Sequence, residues 1–147
     1  ASTSIETWHG PVRRVLVADD NPVNRTVARV MLNRMGHQVV MVDNGRDALA
    51  KALEEPFDLL LLDLDMPEMK GCEVARHLRQ AGKGVPCVAW TAHAAVDVAA
   101  TCREAGMVGT LLKPLDRRVL SGILERLDGE GFDGVERQRA VGSAPRR

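Results

Sequence analysis

The sequence predicts an α/β fold, a doubly wound (βα)5 domain around a five-stranded parallel sheet. Three observations predict it. Short apolar runs alternate with helical stripes along residues 13–127. The segments joining them are short, as sequential strand–helix–strand crossovers require. Leu59-Leu60-Leu61-Leu62 is apolar at every position, the mark of a strand buried on both faces.

Residues 1–12 are polar, contain Gly10-Pro11 and lack periodicity, which reads as an arm or linker. Val15-Leu16-Val17-Ala18 is the first strand and runs into Asp19-Asp20. Asn21-Pro22 supplies an N-cap and a first-turn proline. Val23, Val27, Val30 and Met31 follow as a helical stripe, and Gly36 supplies the stop. Val39 to Val42 is the second strand. Asn44 can cap a second helix with Ala48, Leu49, Ala52 and Leu53 on its inner side. The four leucines form the third strand, which delivers Asp63. A third helix from about Gly71 to Gln80 buries Val74 and Leu78. Pro86 to Trp90 is the fourth strand, with Trp90 bulky for a strand end. A fourth helix from about Ala94 to Ala105 stops at Gly106, and Thr110 to Leu112 is the fifth strand. From about Asp116, Val119, Leu120, Ile123, Leu124 and Leu127 recur at helical spacing. Residues 128–147, rich in Gly and Arg, read as a disordered tail.

Composition narrows the function. A chain of 147 residues favours one domain and needs no disulfide or structural metal for its core. Twenty basic and twenty acidic residues cancel, so no overall field argues for direct nucleic-acid binding. Cys72, Cys87 and Cys102 lack CxxC spacing and read as reduced core residues of a cytoplasmic protein. No apolar stretch approaches the roughly 18–20 residues of a membrane span, which argues against membrane insertion. The chain starts at Ala1 rather than Met, which fits a processed chain or a piece of a longer protein.

In a parallel sheet all strand C-termini lie on one edge. Strand one brings Asp19 and Asp20 there, strand three Asp63, strand four Thr91, and strand five Lys113 followed by Pro114. In the flavodoxin-like order 2-1-3-4-5 the crevice falls between strands one and three, where the acids gather, and Asp43-Asn44 lie off to one side. Three close carboxylates repel one another unless a cation relieves them. Oxygen ligands on an open rim suit Mg²⁺, which commonly bridges carboxylate to phosphate. Asp63 could then attack a phosphoryl donor, with Lys113 and the Thr91 hydroxyl on the transferring oxygens. Taken alone, Asp19-Asp20 would read as an acidic helix start. A carboxylate closing a buried strand is odder, since it costs unless paired. His9, His37, His77 and His93 lack metal-ligand spacing and read as surface residues, with His93 near the site.

Read together, Leu16-Val17-Ala18-Asp19-Asp20-Asn21, Asp43-Asn44-Gly45-Arg46-Asp47-Ala48-Leu49, Asp63-Leu64-Asp65-Met66-Pro67-Glu68-Met69-Lys70-Gly71, Thr91-Ala92 and Lys113-Pro114 resemble the receiver domains of two-component response regulators. Asp19-Asp20-Asn21-Pro22-Val23-Asn24-Arg25 most resembles receivers of hybrid sensor histidine kinases. The resemblance implies that Asp63 accepts a phosphoryl group from phosphohistidine and switches the domain's conformation. It implies Mg²⁺ (or Mn²⁺) on Asp20, Asp63 and the backbone carbonyl of Asp65, with Asp19 acting through water. Thr91 and Lys113 would be the switch pair, and a cis bond at Pro114 is compatible. The partners it implies are a histidine kinase or a histidine phosphotransfer domain, with a homodimer through the fourth- and fifth-helix face as a further assembly. Such a chain catalyses its own phosphorylation and dephosphorylation rather than turning over a substrate, although its parent could be a histidine kinase.

There are departures. Thr110 stands where an aromatic switch residue is common, and Asp65 and His93 occupy positions that tune dephosphorylation. The lightly anchored fourth helix and fifth strand are expected to form the switching surface. Two other readings stay open. Asp63-Leu64-Asp65 also resembles the Asp-x-Asp of haloacid-dehalogenase-type phosphatases, although Asp19-Asp20 precedes it in the wrong order. The third reading is a receiver-like binding module that is never phosphorylated.

Overall fold

A computed structural model describes residues 12–92 and 96–128, with side chains for 12–92 and 97–126. Its elements alternate strictly. They are β1 (Arg14–Ala18), α1 (Pro22–Arg34), β2 (Gln38–Val42), α2 (Gly45–Glu54), β3 (Leu59–Asp63), α3 (Gly71–Gln80), β4 (Cys87–Thr91), α4 (Val96–Glu104), β5 (Gly109–Leu112) and α5 (Arg117–Asp128). The five strands form one parallel sheet in the order β2-β1-β3-β4-β5. Two compact units are distinguished. The first, through Leu115, carries the sheet and α1–α4, and the second, from Asp116, carries α5.

Every residue of β3 is buried, as four leucines and an aspartate in the middle of a sheet require. Full burial of each leucine is worth roughly 1.5–3 kcal/mol. Side-chain alternation sends Leu16, Ala18, Leu60, Leu62, Cys87 and Ala89 to one face, where α2, α3 and α4 cover them with Ala48, Ala52, Val74, Leu78 and Cys102, joined by Ala105 just after α4. The small residues of α2 and α4 let those helices lie close to the sheet. All three cysteines are free thiols, with Cys87 and Cys102 buried and Cys72 half-buried. Burial pushes the Cys87 thiol up to about 12.

The caps read from the sequence are present. The Asn21 side chain accepts the backbone N–H of Val23 at 2.8 Å, and Pro22 opens α1. The Asn44 side chain accepts that of Asp47 at 2.7 Å. Gly36, at φ +90°, ends α1 in a conformation that favours glycine.

Four expectations are corrected. The face of α1 that packs inward is Ala28 and Leu32, continued by Met35 at the C-cap, whereas Val23, Val27 and Val30 are exposed. Both sets repeat at helical spacing, and the smaller alanine marks the side that approaches the sheet. On α2, Ala48 and Ala52 are buried but Leu53 is exposed. On α5, Leu120, Ile123 and Leu124 are buried while Val119 is exposed, and the Leu127 side chain lies outside the described residues.

His37 is the fourth, buried rather than at the surface. It sits just before β2, and its Nδ1 accepts the Arg13 backbone N–H at 2.9 Å. Burial lowers its pKa, the Arg13 charge lowers it further, and Asp58 opposes them. The folded protein thus prefers neutral imidazole, while the unfolded chain takes up a proton near pH 6.5. Stability is full above that value and is lost as pH falls from it through the lowered folded pKa. Thermal unfolding between pH 5 and 8 should show this loss in the wild type, and His37→Gln should flatten it.

Candidate functional site

The sheet register assembles the site. Ala18 pairs with Leu62, so Asp19 and Asp63 follow at the same level on neighbouring strands. Asp63 pairs with Trp90, and Thr91 with Leu112, so Lys113 emerges beside them. One carboxylate oxygen from each of Asp19, Asp20 and Asp63 lies within 4.8 Å of the others.

Asp19 has no exposed surface and is held on every side. Its N–H donates to the Val42 carbonyl at 3.2 Å. Its Oδ1 accepts the Asn21 N–H at 2.8 Å, and its Oδ2 accepts Asn24 Nδ2 at 3.3 Å. Arg25 Nη1 donates to its backbone carbonyl at 2.8 Å. The first turn of α1 therefore clamps this carboxylate, and the positive end of the helix dipole favours its charge. Asn24 and Arg25 were not singled out from sequence as parts of the site. Their position one turn after an acidic pair was the available signal.

Asp63 is buried, with 6% of its surface exposed. Its Oδ1 accepts the Asp65 N–H at 3.3 Å and lies 3.5 Å from Lys113 Nζ. Among the described residues none donates a hydrogen bond to its other oxygen. Burial pushes the Asp63 pKa above the usual carboxylate value; the Asp65 N–H pulls it down, the Asp19 charge adds to the rise, and Lys113 opposes it. Lys113 Nζ lies 2.8 Å from Asp19 Oδ2 and so bridges the two buried acids. Burial alone would lower its pKa, but the Asp19 hydrogen bond and the Asp63 and Asp19 charges outweigh it, and the pKa rises. It is a fixed ammonium at neutral pH.

Thr91 is buried at the end of β4, and its carbonyl accepts the Lys113 N–H at 2.8 Å. The Lys113–Pro114 bond is cis. Asp20 is exposed at the rim. Asp65 turns its carboxylate outward, 3.9 Å from Lys70 Nζ. Thr110 is exposed, and burial together with the neighbouring Cys72 pushes the nearby Cys102 thiol up to about 11. His93 lies outside the described residues.

Two glycines hold the loop that follows Asp63, and sequence reading gave them no such role. A Cβ on Gly45 would lie 1.8 Å from the Met69 carbonyl oxygen, and one on Gly71 would lie 2.5 Å from that of Asp63. The start of α2 thus presses on the loop, and the start of α3 presses on the backbone of Asp63.

The residues present suit a small, hard divalent cation. Three carboxylates face one ammonium, which leaves negative charge uncompensated, and all the donors are oxygens. Burial first, and the Asp19 charge after it, raise the Asp63 pKa, and a cation among these oxygens would oppose that rise.

The sequence pattern of the response regulator receiver domain family matches residues 15–125. Sensor histidine kinase GacS of Pseudomonas protegens is 37% identical over 92% of this chain, which spans 15% of that protein. Sensor histidine kinase RcsC of Salmonella typhimurium is 36% identical over 75% of this chain, which spans 12% of that protein. The chain therefore spans a small fraction of the curated relatives it matches. Among solved structures, the receiver domain of sensor histidine kinase PA1611 from Pseudomonas aeruginosa superposes with a TM-score of 0.72 and 36% identity. That match covers 79% of this chain and 97% of that one, and that structure holds a magnesium ion in its active site cleft. Full-length ShkA in complex with AMPPNP gives a TM-score of 0.74 and 38% identity over 86% of this chain and 26% of that one. An order 2-1-3-4-5 sheet, an acidic rim beside a half-buried lysine and these likenesses agree: the chain belongs to the response regulator receiver domains, the phosphoacceptor signalling domains of two-component systems.

Proposed function

We propose that Asp63 is the phosphoacceptor and that the donor is a phosphohistidine of a histidine kinase or histidine phosphotransfer domain. The observation that carries this is the Asp63 carboxylate, buried, bridged by Lys113 and left with one oxygen unbonded by any described residue. That oxygen attacks phosphorus as the phosphorus–nitrogen bond breaks. The electron pair goes to the imidazole, which takes up a proton. Lys113 and the Thr91 hydroxyl receive the phosphoryl oxygens. Asp20, Asp63 and the Asp65 carbonyl would hold Mg²⁺, with Asp19 behind it through water, and Mn²⁺ meets the same demands. When bound, the metal supplies positive charge that neutralises the transferring phosphoryl group.

The domain is taken as residues 13–127, and its parent as a hybrid kinase like the sensor kinases it resembles. Transfer adds charge between Thr91 and Lys113 and shifts the population toward a conformation that a partner or an attached domain reads. Hydrogen exchange across α4 and β5 should change on phosphorylation.

Incubation with acetyl phosphate and Mg²⁺, followed by intact mass, tests the proposal. A single phosphoryl gain is expected; no gain with any donor would leave a binding module. Metal alone has its own signature. Mg²⁺ at about a hundred times its Kd should stabilise the fold by roughly 2–3 kcal/mol. EDTA should reverse this, and Asp20→Ala should remove most of it, as read by thermal unfolding.

A further inference from the structure

The function proposed for Asp63 makes no use of Trp90. This indole is 1% exposed and lies on β4 between Asp63 on β3 and Leu111 on β5. Lys113 Nζ sits 5.1 Å from its ring centroid. Its Nε1–H is buried and finds no acceptor among the described residues. Packing, not a hydrogen bond, therefore sets the ring's position, and its contact with the charged site is made by its face.

Lys113 has only 18% of its side chain exposed, so protein groups replace much of the water its ammonium would otherwise hold. Two of them are carboxylates, Asp19 and Asp63. Both also belong to the oxygen cluster that suits a divalent cation, and any cation there competes with the ammonium for them. The ring face offers electron density to the ammonium from a group that binds no such cation.

We propose that Trp90 is a positioning residue for Lys113, its π face holding the ammonium over the acidic rim whether or not the carboxylates are engaged elsewhere. The proposal rests on the reading of Asp63 as acceptor and Lys113 as its counter-cation. Indole and ammonium are thereby one unit, assembled from the ends of β4 and β5.

Phosphoryl uptake from acetyl phosphate with Mg²⁺, followed by intact mass, tests it in Trp90→Leu, Trp90→Phe, Lys113→Met and the double variant Trp90→Leu/Lys113→Met. Trp90→Leu should slow uptake about threefold to tenfold, the scale of one cation–π contact. Trp90→Phe keeps a π face and loses no hydrogen bond, so its rate should return to within about twofold of the wild type. In the Lys113→Met background Trp90→Leu should have no further effect. Equal slowing by Leu and Phe, or additive slowing in the double variant, would overturn the proposal and make Trp90 a packing residue.

A second measurement needs no phosphoryl chemistry and no Leu variant. The ε-methylene protons of Lys113, assigned by their loss in Lys113→Met, should be moved upfield by the ring current in wild type and Trp90→Phe. An unshifted wild-type resonance overturns the proposal even where Asp63 takes up phosphate. A shifted resonance in a protein that takes up none supports the Trp90–Lys113 contact and overturns the reading of Asp63 instead.

Discussion

Asp63→Asn should be more stable than the wild type in metal-free buffer at neutral pH, by about 1 kcal/mol, and should accept no phosphoryl group. Burial and the adjacent Asp19 hold the ionised Asp63 carboxylate at a disadvantage in the folded state, beyond what the Asp65 N–H and Lys113 recover. A raised folded pKa means that protonation favours folding. This contribution is fully present below the unfolded value of 3.8 and is lost as pH rises through the folded pKa. Asparagine keeps an oxygen for the Asp65 N–H and removes the charge, and Lys113 keeps Asp19 at 2.8 Å. Denaturant melts with and without Mg²⁺ check this. The variant should gain stability without metal and lose the wild type's response to it. Equal stabilities in metal-free buffer would show that the charge at position 63 is already relieved.

Gly45→Ala should cost about 2–4 kcal/mol, far above the usual effect of alanine at a helix start. The added Cβ meets backbone, 1.8 Å from the Met69 oxygen and 2.6 Å from its carbon, so no side-chain rotation relieves it. Either α2 or the loop from Leu64 to Lys70 must move. That loop carries Asp65, whose N–H reaches Asp63, so metal affinity should weaken along with stability. Gly84→Ala is the control, since its Cβ would meet nothing within 4 Å. Calorimetry of Mg²⁺ binding and thermal unfolding on the two variants separate the effects. A Gly45→Ala protein as stable as the control would contradict the close approach.

Much of the fold could be read from particular residues. Four consecutive leucines ending in an aspartate have few other uses than the centre of a parallel sheet, and β3 is that strand. The site was legible because a parallel sheet puts all strand ends on one edge, whatever lies between them in sequence. Helix faces were harder. On α1 two apolar sets share the period, and the larger valines suggested the core, yet the close approach to the sheet selects Ala28. His37 read as a surface residue because its partner, the Arg13 backbone N–H, lies 24 positions away. The pressure of Gly45 on Met69 has the same character, since distances across a loop leave no periodicity. Trp90 stood out by its size alone, and its role waits on where the Lys113 ammonium lies.

The most direct test is chemical mapping of the phosphoryl group. Borohydride reduces an aspartyl phosphate to homoserine, which peptide mass spectrometry locates to a residue. After treatment with acetyl phosphate and Mg²⁺, homoserine should appear at position 63 and be absent without metal. Homoserine at Asp19, Asp20 or Asp65 in its place, or none from a protein that binds Mg²⁺, would contradict the assignment of Asp63 as the acceptor.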